Sequence, residues 1–266
     1  MTDSRAPVGI FDSGIGGLTV ARAVFERLPG ESTIYFGDTA RVPYGPKSEE
    51  TVRRYSLEIL DWLLRQGVKA VVVACNTATA RALDALRETS PVPVVGVIEP
   101  GARAAVAAAR GRTIGVVGTV GTIASNAYLR AIRALDPVAR VEQQPCPLFV
   151  PLVEEGWFDH PATELVAREY LAPLTRAGIG SLVLGCTHYP LLKPLLHRVL
   201  GADVTLIDSA QETAAELSRV LRDTGLAADG RPAHRFVVSD DPARFRQVGA
   251  RFIGERLGAA EVVSLG

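Results

Sequence analysis

Residues 70–88 read AVVVACNTATARALDALRE, and this stretch decides the fold. Its first five residues, 70–74, are apolar without alternation. A strand reads that way when both faces are covered, as in a parallel sheet with helices on each side. Alanine, leucine and charged residues then follow at helical spacing. The unit is therefore strand, turn, helix, with Cys75 at the turn.

The same alternation runs outward in both directions. Strand-like runs occur at VGIF (8–11), TIYFG (33–37), VVGVI (94–98), TIGVVG (113–118), LVLG (182–185) and VTLID (204–208). The clearest helix is 48–66, which Ser48 opens, acids follow in the first turn, and Gly67 closes. Others are expected at ATARALDALRE, at GTIASNAYLRAIRAL and at the Ala-rich GARAAVAAARG. Pro100 suits the first turn of a helix, which places a boundary near it. Such alternation predicts right-handed crossovers and a doubly wound α/β architecture.

Two pairs of segments repeat. VGIFDSGIGGLTV (8–20) is echoed by TIGVVGTVGTIAS (113–125), and AVVVACNTATA (70–80) by SLVLGCTHYPL (181–191). The offsets are similar, as two copies of one unit require. Cys75 and Cys186 then end equivalent strands. Where a doubly wound sheet reverses its order, the carboxyl ends of strands face the ligand crevice. Taken singly, either cysteine reads more simply as a small buried hydrophobe. As a pair at matched strand ends, they can meet across one crevice. A helix N-terminus after each would lower a thiol pKa.

Composition narrows the function. The chain has 266 residues, 29 basic and 29 acidic, so no charge excess favours nucleic acid or a membrane surface. No apolar run approaches the roughly 20 residues of a membrane span, and no signal peptide is read at the N-terminus. Three cysteines, an odd count, make no disulfide framework, and a reducing cytoplasm fits. Cys146 has no strand–helix context and reads as structural. His160, His197 and His234 show no metal-ligand spacing, so no metal is expected.

The Gly-rich turn after residue 11 departs from a dinucleotide fingerprint, with glycines at 14, 16 and 17. Its amides could cradle a carboxylate. Asp12 could bind a substrate ammonium, orient a thiol, or simply cap a helix. Two thiols flanking a ligand suit a racemase, which takes a proton from one face of a carbon and returns one to the other. A thiol hydrolase using Cys186 and His188 would not need Cys75, and a non-catalytic binder of a small acidic ligand would need neither thiol.

Together, FDSGIGGLTV, the PYG loop at 43–45, ACNTATA, GVIEPG, the GT-x-x-T turn at 118–122 and GCTHYPLL resemble the aspartate/glutamate racemase superfamily, and glutamate racemases within it, along nearly the whole chain. Gly121 departs from the alanine expected there. The resemblance implies two α/β domains related by a pseudo-twofold axis, 1–97 plus 210–266 and 98–209, with the site in the cleft between them. The run HRFVVSDDPARFRQVGARFIG, a strand then a helix, suits that return to the first domain. It implies interconversion of L- and D-glutamate for peptidoglycan synthesis, no pyridoxal phosphate or other cofactor, and a homodimer. Regulation through an N-terminal extension is not expected. Aspartate is the nearest alternative substrate. Cys75 matches the base acting on D-glutamate and Cys186 the base acting on L-glutamate. Asp12, His188 and Glu154 match assisting residues. Asp12, Ser13, Tyr44, Gly45, Asn76, Thr77, Thr119, Thr187 and His188 match substrate-binding positions.

Overall fold

A computed structural model describes residues 3–265. The strands, in chain order, are β1 (Val8–Asp12), β2 (Thr33–Gly37), β3 (Ala70–Val73), β4 (Val94–Gly96), β5 (Thr113–Gly118), β6 (Val141–Pro145), β7 (Ile179–Gly185), β8 (Thr205–Ile207), β9 (His234–Val238) and β10 (Ala260–Val262). The helices are α1 (Leu18–Arg27), α2 (Glu49–Arg65), α3 (Asn76–Thr89), α4 (Ile98–Ala109), α5 (Val120–Ala124), α6 (Ala127–Leu135), α7 (Phe149–Glu154), α8 (Pro161–Arg176), α9 (Lys193–Leu200), α10 (Ser209–Asp223) and α11 (Pro242–Ile253).

These strands form two sheets, ordered β10-β9-β2-β1-β3-β4 and β6-β5-β7-β8, with every pairing parallel. The fold is α/β with two parallel sheets, as the uniformly apolar strands require. The order β2-β1-β3-β4 recurs as β6-β5-β7-β8, so the repeat read in the sequence has a structural counterpart. β9, β10 and α11 are additions to the first sheet.

The apolar runs serve two cores at once. In the 70–75 stretch, Ala70, Val72 and Ala74 join a cluster continuous with the second sheet. Val71, Val73 and Cys75 face the opposite side, under α2 and α3. Helix α10 packs against both α1 and α4 and so joins the layers of the two sheets.

Several boundaries differ from expectation. The run at 94–98 leaves the sheet at Gly96, and Ile98 already opens α4, with Pro100 in its first turn. The expected 121–135 helix is two helices, because Asn126 turns left-handed at φ 55° between them. β6 and β10 carry no strand signature in the sequence because both lie at sheet edges. VEQQP is polar and AEV is short and mostly exposed, so neither carries the apolar signal of a central strand.

Beneath the first sheet, Lys69 and Glu31 form an ion pair with side chains 0% and 1% exposed. The Lys69 ammonium also donates to the Ser4 carbonyl, and Glu31 Oε1 accepts from the Ala228 amide at 2.7 Å. The pair thus fixes the N-terminal segment and the loop before β9. Replacing one member strands the other as a buried charge, which typically costs about 3–5 kcal/mol. Lys69→Met should therefore lower unfolding stability by about that amount in urea titrations, with Lys69→Met/Glu31→Leu losing less than Lys69→Met alone. Equal stability of Lys69→Met and the unaltered chain would show that the pair contributes nothing.

Candidate active site

In each sheet the chain leaves the first strand toward opposite sides. The crevice at the carboxyl ends of β1 and β3, and that at β5 and β7, are the switch points where ligands bind in such sheets. Asp12 ends β1, Cys75 follows β3, Thr119 follows β5, and Cys186 follows β7. One small cavity of about 40 Å³ receives all but the first of these. From the first sheet's turns come Ser13, Tyr44, Gly45, Cys75, Asn76 and Thr77; from the second's, Thr119, Cys186, Thr187 and His188. A larger groove of about 400 Å³ between α3, α4 and α6 contains neither thiol.

The turns meet because glycines let them. A Cβ on Gly16 would lie 2.3 Å from Thr187 Oγ1 and 2.4 Å from His188 Nδ1, and one on Gly17 would lie 2.4 Å from Asp12 Cβ. These two glycines serve close approach. The Gly14 amide is committed to Asp12 Oδ1 at 3.0 Å, so the turn is less of an anion cradle than its composition suggests. A hydroxyl cluster closes the other side, where Thr77 lies 2.9 Å from Thr119 and 3.2 Å from Thr122.

The two thiols sit in unlike surroundings. Cys75 caps α3, with Sγ accepting the Ala78 amide at 3.4 Å and donating to Ser13 Oγ at 3.5 Å. The helix terminus was expected to lower this thiol's pKa. Burial, and then the nearby Asp12, outweigh the amide and push it up to about 12. Cys75 therefore holds its proton at neutral pH. Asp12 itself is 1% exposed, and burial raises its pKa. It stands behind the cavity wall, with Oδ2 lacking a hydrogen-bond partner.

Cys186 lies 3.9 Å from His188 Nδ1, and His188 Nε2 lies 3.1 Å from Glu154 Oε1. Burial works against an imidazolium here, but the hydrogen bonds to Cys186 and Glu154 prevail and raise His188 to about 10. The hydrogen bond from His188 in turn holds the Glu154 carboxyl below its ordinary range. Glu154, like Asp12, stands behind the wall. Its other oxygen accepts from Arg244 on α11 at 3.2 Å.

Tyr44 presents its ring, for its hydroxyl donates to buried Asp38, which also pairs with Arg41 at 2.8 Å. Val42 and Val150, which no motif signalled, complete an apolar wall with Pro43 of the PYG loop. Arg244 gave no local sign because its partner Glu154 is 90 residues away in sequence, and Asp38 gave none because its contacts with Arg41 and Tyr44 arise from the irregular path of the loop. Cys146 is buried and hydrogen-bonds the Gln144 carbonyl at 3.6 Å, as a structural cysteine does. His160 caps α8 and His234 stacks on Phe25 at 4.0 Å. Among the described residues, no cluster of three or more His, Cys, Asp or Glu side chains could hold a metal, and no helix is long and apolar enough to cross a membrane.

Paired thiols at equivalent strand ends of two parallel sheets, sharing one small cavity, fit an isomerase of the racemase class. The chain belongs to the Asp/Glu/hydantoin racemase family, whose model matches residues 17–217. It is similar to a glutamate racemase of Geobacter metallireducens, at 55% identity over 97% of this chain and 96% of that relative. Among solved structures, it is similar to a glutamate racemase isoform from Bacillus anthracis, at TM-score 0.95 and 44% identity over 98% of each chain. A glutamate racemase from Francisella tularensis, solved in complex with D-glutamate, matches at TM-score 0.92 and 40% identity, again over 98% of each chain. The protein is an amino-acid racemase.

A raised folded-state pKa has a defined linkage sign. The His188 contribution to stability is full below its ordinary value of about 6.5 and drains away as pH rises through about 10. The stability gap between the unaltered chain and His188→Asn should therefore narrow across that window in urea titrations at stepped pH. A gap independent of pH would rule out a folded imidazolium.

Proposed function

We propose that this chain interconverts L- and D-glutamate by direct proton transfer between Cys75 and Cys186, without a cofactor. The observation that carries the reading is that both thiols line one cavity from matching strand ends. Glutamate as the substrate is supported by the names of the relatives above.

In the L-to-D direction, Cys186 acts as base. The thiolate of Cys186 faces the His188 imidazolium at 3.9 Å, and Glu154 holds that imidazolium. The thiolate takes the α-proton of L-glutamate, and Cys75, protonated by virtue of its burial, returns a proton to the opposite face. Cys75 is left as thiolate and Cys186 as thiol, the state that accepts D-glutamate for the reverse reaction. Asp12, close enough to raise the Cys75 pKa, assists on that side. The α-proton is far less acidic than a thiol, so fixed donors must stabilise the developing carbanion through the α-carboxylate. Ser13, Thr77, Thr119 and Thr187 are the groups available for this, while Asn76 is a donor that holds a carboxylate of the bound substrate and of the transition state alike. With the Tyr44 hydroxyl engaged by Asp38, the Gly45 main chain is the polar part of the PYG loop left for the side-chain carboxylate.

The same reading makes residues 1–97 plus 210–266 one domain and 98–209 the other, with a pseudo-twofold axis through the cleft. It makes the enzyme a cytoplasmic homodimer that supplies D-glutamate for peptidoglycan and cell-wall synthesis.

The test is to incubate L-glutamate with purified protein in heavy water, with no cofactor added, and follow circular dichroism and deuterium at Cα. Product from either enantiomer should carry deuterium, and D-glutamate retaining the original hydrogen would exclude exchange through two thiols. Cys75→Ala and Cys186→Ala should each lose racemisation by at least the roughly 10²- to 10⁴-fold that a positioned acid or base supplies. Faster turnover of aspartate in the same assay would reassign the substrate.

A further inference from the structure

Asn76 lies in the cavity wall at 2% exposure, and its side chain is only half engaged. Oδ1 accepts a hydrogen bond from the Tyr128 hydroxyl at 2.7 Å, while buried Nδ2 has no hydrogen-bond partner. Tyr128 is fully buried on α6, beside the second sheet, whereas Asn76 opens α3 beside the first. Their hydrogen bond therefore spans the two halves of the molecule.

Space has been made for this tyrosine. A Cβ on Gly185, the residue before Cys186, would lie 3.1 Å from Tyr128 Cε2, and one on Gly101 would lie 3.4 Å from its hydroxyl. Tyr128 thus touches the turn that bears Cys186 and the residue that follows Cys75. An untethered amide presents either its oxygen or its NH2 to a ligand by rotating half a turn. Facing a carboxylate, the oxygen repels and the NH2 donates. Burial pushes the Tyr128 hydroxyl pKa up, so it keeps its proton to donate.

We propose that Tyr128 is a positioning residue: its hydroxyl holds Asn76 Oδ1 and thereby fixes Nδ2 as a donor to a carboxylate of the bound amino acid. This rests on the racemase reading of the cavity. An interaction of this kind acts on bound substrate and transition state alike, so its loss falls on KM rather than on kcat.

The experiment is a double-mutant cycle with Tyr128→Phe and Asn76→Ala, read by racemisation kinetics and by calorimetric titration of glutamate. Tyr128→Phe should raise KM for both enantiomers by roughly 3- to 10-fold, the worth of one neutral hydrogen bond, with kcat within about 2-fold. In the Asn76→Ala background it should raise KM no further, because its effect passes through that amide. An unchanged KM in folded Tyr128→Phe, or effects that simply add, would overturn the proposal. Should Tyr128→Phe fail to fold, Asn76→Asp removes the donor but keeps an oxygen for Tyr128. It should weaken glutamate at least as much, and unaltered affinity would overturn the proposal. A wild-type protein that binds glutamate without racemising it would overturn the proposed reaction, while the calorimetric cycle still decides the role of Tyr128.

Discussion

The site depends on one steric constraint, the contact between the backbone at Gly16 and the turn carrying Thr187 and His188. With a Cβ at 2.3 Å from the threonine hydroxyl, no side chain fits at position 16 without displacing the Thr187 and His188 side chains from the site. That spacing brings two separately wound sheets close enough for their switch points to share a cavity. The Thr19 hydroxyl, donating to the Thr187 carbonyl at 3.1 Å, fixes the same junction one turn further along α1. Gly17 plays the matching part within the first sheet by admitting Asp12 beneath the turn.

Topological repetition does not carry over into electrostatics. Both cysteines end inner strands of sheets with the same order, yet one is a thiol held by burial and the other adjoins an imidazolium–carboxylate pair. The difference arises from residues outside the repeated units' strand ends. Glu154 is delivered by α7, and Arg244, which steadies it, by the appended α11. A protein that handles mirror-image ligands in one space is therefore not itself mirror-like. The proposed exchange of a proton between the two thiols therefore runs between groups in unlike surroundings.

Much of the fold was legible because it is carried by buried parallel strands. Runs such as AVVVA and TIGVVG are apolar on both faces and announce themselves, whereas VEQQP and AEV at the edges do not. Within the site, Cys75 and Cys186 were legible as a pair through the repeat, and Ser13, Asn76, Thr77, Thr119, Thr187 and His188 through their adjacency to strand ends. The thiol's elevated pKa was not, because it follows from total burial and from Asp12 rather than from the helix terminus that the local sequence reveals. Nor was the engagement of the Tyr44 hydroxyl by Asp38, which depends on how an irregular loop folds back on itself, or the bracing of Glu154 by Arg244, since partners 90 residues apart leave no periodic trace.

The position of β9 bears on how the chain is made. β2 pairs with β9 along its whole length, with Thr33 hydrogen-bonded to His234 across 201 residues of sequence. On the ribosome, β2 therefore emerges with one edge open, and Tyr35 and Phe36 stay without their β9 neighbours until nearly the entire chain has followed. The second sheet needs no such wait, since β5 through β8 form one uninterrupted stretch. Long-range strand pairing of this kind is slow and leaves an adhesive edge exposed. The second sheet can thus close before the first, and the part of the molecule translated first is among the last to be completed.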